Sequence, residues 1–280
     1  MKSMFSFSVI FMGILMFTTI VVVVCYPESN WQTNVMIAMQ GPSIRHIFGL
    51  DSLGRDLFLR TIHGAQMTLM MGLICSLLSF FIGVIYGGIS AWVGNLTDQL
   101  MMRAMEVIMA LPQMVTIGLL VMLFSYRGGV TGVTGIFKLS LAISLGSWMT
   151  FARLTRNLVI KEKSLMYVEA ATAIGSKPFR IFWRELGPNI APSLMIMFGL
   201  QIPNFLLFES LLSFMGLGIQ PPLSSWGLLI QEGWKSTMAY PHTLIFPALI
   251  LFLTVFSLNV IFERFRQRVL RTFEPVDTHH

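Results

Sequence analysis

Charge is scarce in this sequence: Asp, Glu, Lys and Arg make up 11% of its 280 residues, where a soluble domain carries roughly 25%. That shortage excludes an ordinary water-solvated globule. With 55% hydrophobic residues and a mean hydropathy of +0.73, the chain reads as an all-α polytopic membrane protein solvated mainly by lipid. Cysteine is scarcer still. Cys25 and Cys75 lie in apolar runs without C-x-x-C or metal-ligand spacing, which speaks against a disulfide or metal framework, and His279-His280 is too short to argue as a metal site. No G-x-x-x-x-G-K-[S/T] phosphate loop occurs, so the chain is not its own P-loop ATPase. A membrane-bound enzyme would need a His/Asp/Glu or Ser/His constellation near a span end, and none is legible; no catalytic residue, metal ligand or bound cofactor is assigned. The net charge of +6 invites thoughts of nucleic acid. In a membrane chain, however, basic excess first indicates orientation, and no nucleic-acid partner is expected.

A spanning helix takes about 20 apolar residues. Runs poor in charge therefore place six spans, at about Met4 to Cys25, Met67 to Ala91, Met105 to Phe124, Leu139 to Ala152, Ser193 to Gly218 and Thr243 to Phe262. The fourth is the shortest. Lys138 and Arg153 bracket 14 residues, about 21 Å of helix against about 30 Å of hydrocarbon. Snorkelling of Lys138 and extension through Gly135, Ile136 and Phe137 would lengthen it. Sidedness supports keeping this span: thirteen of the 19 basic residues then fall on the side of both termini, which the positive-inside rule makes the cytoplasm. Lys2 before an apolar run resembles a secretory signal, but the run is longer than the roughly 7–15 residues of a signal core. Val-Val-Val-Val-Cys-Tyr-Pro also offers no small-residue cleavage site, so a retained anchor is expected. The chain divides into an anchor helix and extracytoplasmic segment (1–66), a core (67–262) containing a basic cytoplasmic loop (153–192), and a cytoplasmic tail (263–280). Little room is left for an energy-converting domain, so energy must come from a partner.

That basic loop is the most specific stretch. Leu165 to Ile174 predicts a helix with Val168, Ala171 and Ile174 on one stripe, and Gly175 suits its left-handed C-terminal cap. Ser176 suits the N-cap of a second, amphipathic helix with Pro178 in its first turn and Phe179, Phe182, Trp183 and Leu186 along it, ending at Gly187-Pro188. Such a cytoplasmic hairpin fits a cleft in a partner protein, with Ala170 and Ala171 leaving room for close approach. It equally fits an interfacial helix whose basic residues meet anionic lipid.

Glu169-Ala170-Ala171, three residues, Gly175, and a segment ending in Pro188 resemble the EAA loop of ABC importer permeases, with Gly187 where that family normally has Leu. Phe48 to Asp56 followed by Arg60 and Gly64-Ala65, Met102 to Glu106 through Ala110-Leu111-Pro112, and Ser213 to Pro222 followed by Ser225-Trp226-Gly227 extend the likeness over nearly the whole chain. Together they resemble the second, C-type permease subunit of dipeptide, oligopeptide and nickel ABC importers; Phe262 to Gln267 departs from the usual C-terminal pattern. The resemblance implies a type I importer transmembrane fold in a bacterial inner membrane and coupling to ATPases through Glu169, Ala170, Ala171, Gly175, Phe179 and Pro188. It also implies a second related permease, two ABC ATPase subunits that use ATP-Mg, and an extracytoplasmic solute-binding protein. Peptides are the expected cargo, with nickel or another small solute as the alternative. An ion-gradient-driven secondary transporter would more often show broken helices in corresponding halves or several intramembrane ionisable groups.

Three polar features remain. Gln201, Phe205, Glu209 and Ser213 recur every four residues in the fifth span with Asn204 beside them, which makes Gln201, Asn204, Glu209 and Ser213 candidates for the translocation pathway or for a structural network. Pro203 would free a carbonyl and kink or hinge this helix. Asp51, Arg55 and Asp56, with Arg60, form an outer cluster that is either a docking site for the delivery protein or a local salt-bridged cap. Gly83-x-x-x-Gly87 permits close helix packing, intramolecular rather than dimeric.

Overall fold

A computed structural model of the chain describes residues 2–26, 33–126 and 132–273; His279-His280, named above, lie outside them. Among the described residues the regular elements are helical: α1 (Lys2–Cys25), α2 (Leu57–Val93), α3 (Asn95–Met109), α4 (Gln113–Ser125), α5 (Gly132–Leu145), α6 (Met149–Lys163), α7 (Met166–Ala173), α8 (Pro178–Arg180), a π-helical turn (Ile181–Leu186), α9 (Gly187–Phe214), α10 (Trp226–Trp234) and α11 (His242–Phe273). Four helices are long and apolar enough to cross a membrane, or up to six if each of two bent pairs makes one span.

α2 is the axis of the molecule. Its 37 residues reach about 55 Å at 1.5 Å per residue, well beyond the hydrocarbon, and begin ten residues before the expected second span. The Asp56 side chain accepts from the Leu59 amide to start it, and Gly94, at φ +70°, turns the chain out at its end. α5, α6 and α9 pack along α2, burying Met71, Cys75, Leu139, Ile143, Phe151 and Phe205 in one core. The Gly83/Gly87 pair is the α2–α6 crossing. A Cβ on Gly87 would lie 2.1 Å from the Ala152 carbonyl oxygen, and one on Gly83 2.5 Å from Phe151 Cβ, so the motif serves packing within this chain.

Both ends of the bundle can be followed through contacts. The His63 imidazole lies 2.8 Å from the Tyr26 carbonyl, which places the close of α1 beside the start of α2, and Phe48 stacks on Phe246 near the start of α11. At the opposite end Arg264 of α11 lies over the Phe5 ring of α1, and Lys163 bonds the last carbonyls of α2. α1 therefore begins, and α11 finishes, at the end that carries α7.

Several expected boundaries change. The third span is not one helix over Met105 to Phe124, because α3 and α4 meet at 87° across Ala110-Leu111-Pro112; proline disfavours a helical residue before it and cannot continue the hydrogen-bond ladder. The fourth is bent by 48° between Leu145 and Met149. The second helix of the loop is capped by Lys177 rather than Ser176, and it does not stop at Gly187-Pro188. Instead the chain stays helical from Pro178 to Phe214. The Gly187 amide donates to the Phe182 carbonyl five residues back, and this wider turn delivers Pro188 to the first turn of α9, where no amide proton is needed.

Candidate functional site

α7 is held from behind and open in front. Val168 is buried with Ala91, Val159, Ile181 and Leu186. Tyr167 Oη donates to the Glu162 carboxylate and accepts from Asn189 Nδ2 at 3.0 Å; burial, then the Glu162 contact, pushes its phenol above the ordinary tyrosine value. Lys163 Nζ donates to the Ala91 and Trp92 carbonyls at 3.1 and 2.9 Å. The cap at Gly175 is the predicted one. With φ at +81°, its amide reaches the Thr172 carbonyl at 2.9 Å while the Ser176 amide reaches that of Ala171 at 3.1 Å, the pair of bonds that closes a Schellman motif.

The forward surface carries Glu169 and Ala170 exposed and Ala171 half-buried. No ion pair engages Glu169 among the described residues. Ile174 and Phe179 are 84% and 76% exposed. Together they leave apolar side chains exposed at this end of the bundle. A cavity of about 610 Å³ lies beside it, lined by Glu169, Thr172, Ser176, Pro178 and Ile181 among others. Pro188 is exposed and opens α9, so the loop runs without interruption into a long membrane helix.

Midway along α9 lies a second cavity of about 370 Å³, lined by Gln113, Ser147, Thr150, Gln201 and Asn204 with Phe205, Phe208 and Leu211 on its apolar side. Gln113 Nε2 donates to Ser147 Oγ at 2.9 Å, and Asn204 Nδ2 donates to Gln201 Oε1 at 2.7 Å. Both helix breaks adjoin it, since Gln113 opens α4 and Ser147 sits between α5 and α6. Non-helical backbone at membrane depth is tolerated where it is covered by protein or lines a water-filled cavity.

Glu209 and Ser213 do not line this groove. A step of four residues turns a helix about 40° past a full circle, so three steps carry Ser213 about 120° away from Gln201. Glu209 is fully buried and accepts from Ser213 Oγ at 2.7 Å and Ser210 Oγ at 3.4 Å. This seam packs against α10, where a Cβ on Gly227 would lie 2.4 Å from the Ser210 carbonyl. Ser225 caps α10, and the buried Trp226 indole donates to the Thr61 carbonyl at 2.9 Å.

At the end away from α7, Asp51 and Arg55 engage each other at 2.8 Å, and Arg60, 1% exposed, meets both Asp51 and Glu232 of α10 at 2.6 Å. Asp56 instead caps α2 and pairs with His46 at 2.8 Å. These pairs tie the segment before α2 to α10. Sequence reasoning missed Glu232, although a lone acid in an apolar nine-residue helix is a signal. It also missed the Arg156–Asp98 pair at 2.5 Å, which ties α6 to α3, and the groove residues Gln113, Ser147 and Thr150.

Residues 79–271 match the family described as "Binding-protein-dependent transport system inner membrane component". An oligopeptide transport system permease protein, OppC, of Haemophilus influenzae is 38% identical over 241 residues, 86% of this chain and 74% of that protein. A dipeptide transport system permease protein, DppC, of Bacillus subtilis is 37% identical over 79% of this chain and 67% of its own length. Among solved structures, an inward-facing MetNI methionine ABC transporter chain superposes with a TM-score of 0.61 over 76% of this chain and 97% of that one; at 16% identity this likeness concerns the fold alone.

Proposed function

Because the chain belongs to the family of binding-protein-dependent transport inner-membrane components, we propose that it is one permease half of an ATP-driven peptide importer. Its relatives' names, oligopeptide and dipeptide permeases, supply the cargo class. The observation that carries the mechanism is covalent continuity: the exposed Glu169–Pro188 element leads directly into α9, and Gln201 lies 13 residues beyond Pro188, about 20 Å along the helix. A push on the loop therefore reaches the groove as a rigid-body displacement.

In this reading the chain performs no chemistry and holds no cofactor. Two ATPases seat Glu169, Ala170, Ala171, Gly175 and Phe179 from the cytoplasm, hydrolyse ATP-Mg, and drive α9 between outward and inward access. A second permease completes the pathway, with Gln201 and Asn204 on its wall. Glu209 and Ser213 hold α9 to α10. A solute-binding protein docks at the opposite, extracytoplasmic end, whose surface Asp51, Arg55 and Asp56 shape by bonding within the chain. Coupling requires that nucleotide and peptide each favour one of the two access states. The two bent spans are neighbours in sequence rather than counterparts in two halves, which favours this reading over an ion-gradient transporter.

The test is a reconstituted complex with Glu169→Arg in this chain. Peptide uptake is expected to fall at least tenfold while the variant keeps its membrane level, with ATPase association weakened or hydrolysis no longer stimulated by loaded binding protein. Normal ATPase binding and normal uptake would remove the coupling role. Uptake of nickel and not of peptides would move the cargo to the alternative class.

A further inference from the structure

We infer that the groove of Gln113, Ser147, Thr150, Gln201 and Asn204 grips passing peptide by its backbone, and that its lack of charged side chains makes passage indifferent to peptide charge. The inference rests on the peptide-transport reading above and adds the binding chemistry.

The groove is lined by three carboxamides and two hydroxyls, with no Asp, Glu, Lys or Arg among its lining residues. Its internal bonds leave capacity unused. Asn204 spends one amide hydrogen on Gln201, and Gln113 spends one on Ser147. A carboxamide carries two donor hydrogens and an acceptor oxygen with two lone pairs. The Asn204 and Gln113 oxygens and the Gln201 amino group therefore stay available as acceptors and donors. A peptide bond offers the complementary pair, one N–H and one C=O, at every residue whatever its side chain. Leaving such groups unmet in a membrane interior is costly, so their convergence from α4, α6, α9 and the α5–α6 break calls for water or a polar ligand. At about 370 Å³ the cavity falls in the roughly 300–1,000 Å³ range of ligand sites.

The position of Glu209 supports the same conclusion. This carboxylate lies on the same helix and is fully buried on the α10 side, engaged by serine hydroxyls. A carboxylate in the groove would repel acidic peptides and retain basic ones. Phe205, Phe208 and Leu211 meanwhile offer non-directional contact to apolar side chains.

The experiment uses the full importer in proteoliposomes with its solute-binding protein, and three peptides of equal length with net charge −1, 0 and +1. Each variant is compared with wild type for each peptide, so the binding protein's own preference cancels. Gln201→Ala combined with Asn204→Ala is expected to lower uptake of all three by the same factor, about tenfold or more. Gln201→Glu is expected to raise the ratio of basic to acidic peptide uptake about tenfold. Asn204→Asp introduces the same charge and is read identically should Gln201→Glu fail to accumulate. Wild-type uptake ratios in these charged variants, at normal membrane level and normal basal ATPase activity, overturn the inference and leave the peptide reading standing. Failure of the wild-type complex to take up any of the three peptides overturns both.

Discussion

Arg60 takes its guanidinium into the bundle almost wholly out of solvent, and Asp51 and Glu232 meet it there. Removing one partner of a buried ion pair typically costs about 3–5 kcal/mol, because the remaining charge stays desolvated. Arg60→Met is therefore expected to destabilise by about 3 kcal/mol, read as a lower denaturation midpoint in detergent, and adding Glu232→Gln should recover part of that loss. Arg55→Glu should likewise lower stability before it alters binding-protein affinity, since Arg55 is engaged with Asp51; loss of affinity at unchanged stability would make the segment a docking site after all. Glu209 makes the other residue-scale case. Glu209→Gln keeps acceptors for Ser213 and Ser210 and should leave uptake within about twofold, whereas Glu209→Leu strands buried hydroxyls at about 1–3 kcal/mol. The Asp51–Arg55–Arg60 spacing is local and legible in the sequence. Glu232 stands 172 residues from Arg60, and only the folded chain brings them together.

At the scale of elements, packing distance and backbone conformation decide the outcome. Gly87→Leu must part α2 from the α6 backbone, because even a Cβ would meet the Ala152 carbonyl oxygen at 2.1 Å. Overpacking of this kind costs about 1–3 kcal/mol or more. The variant is expected to unfold earlier and to loosen α7, since Lys163 at the end of α6 anchors to the close of α2; faster proteolysis near α7 reports it. Gly175→Val has a different signature. No atom lies near its Cβ position, so the cost is the left-handed backbone alone, about 1–2 kcal/mol. It should leave the membrane core intact and lower peptide-stimulated ATPase activity. The Gly175 cap, Pro178 in a first turn and the Gly83/Gly87 contact were all legible, because each follows from a residue's own backbone or size. The break at Pro112 and the passage through Pro188 were not: both prolines look alike as helix stops, and only the π-turn before Gly187 distinguishes the second.

Across the whole molecule, one end presents the α7 surface and the other the Arg60 network, with the polar groove midway along α9. The purified chain is expected to hydrolyse no ATP by itself and to support hydrolysis only when ATPase subunits are added; an intrinsic rate above background would contradict its reading as a passive half-channel.

The sequence by itself determined that lipid is the main solvent and that its most basic segment holds a short helix closed by a left-handed cap at Gly175. Composition, backbone freedom and short spacings encode those properties, and none depends on distant contacts. Tertiary structure decided which polar residues of α9 share a surface. The four-residue repeat drifts around the helix, so Gln201 and Asn204 join Gln113, Ser147 and Thr150 in a groove while Glu209 and Ser213 turn toward α10. Such groupings arise from helix rotation and from breaks in neighbouring spans, and linear spacing does not carry them.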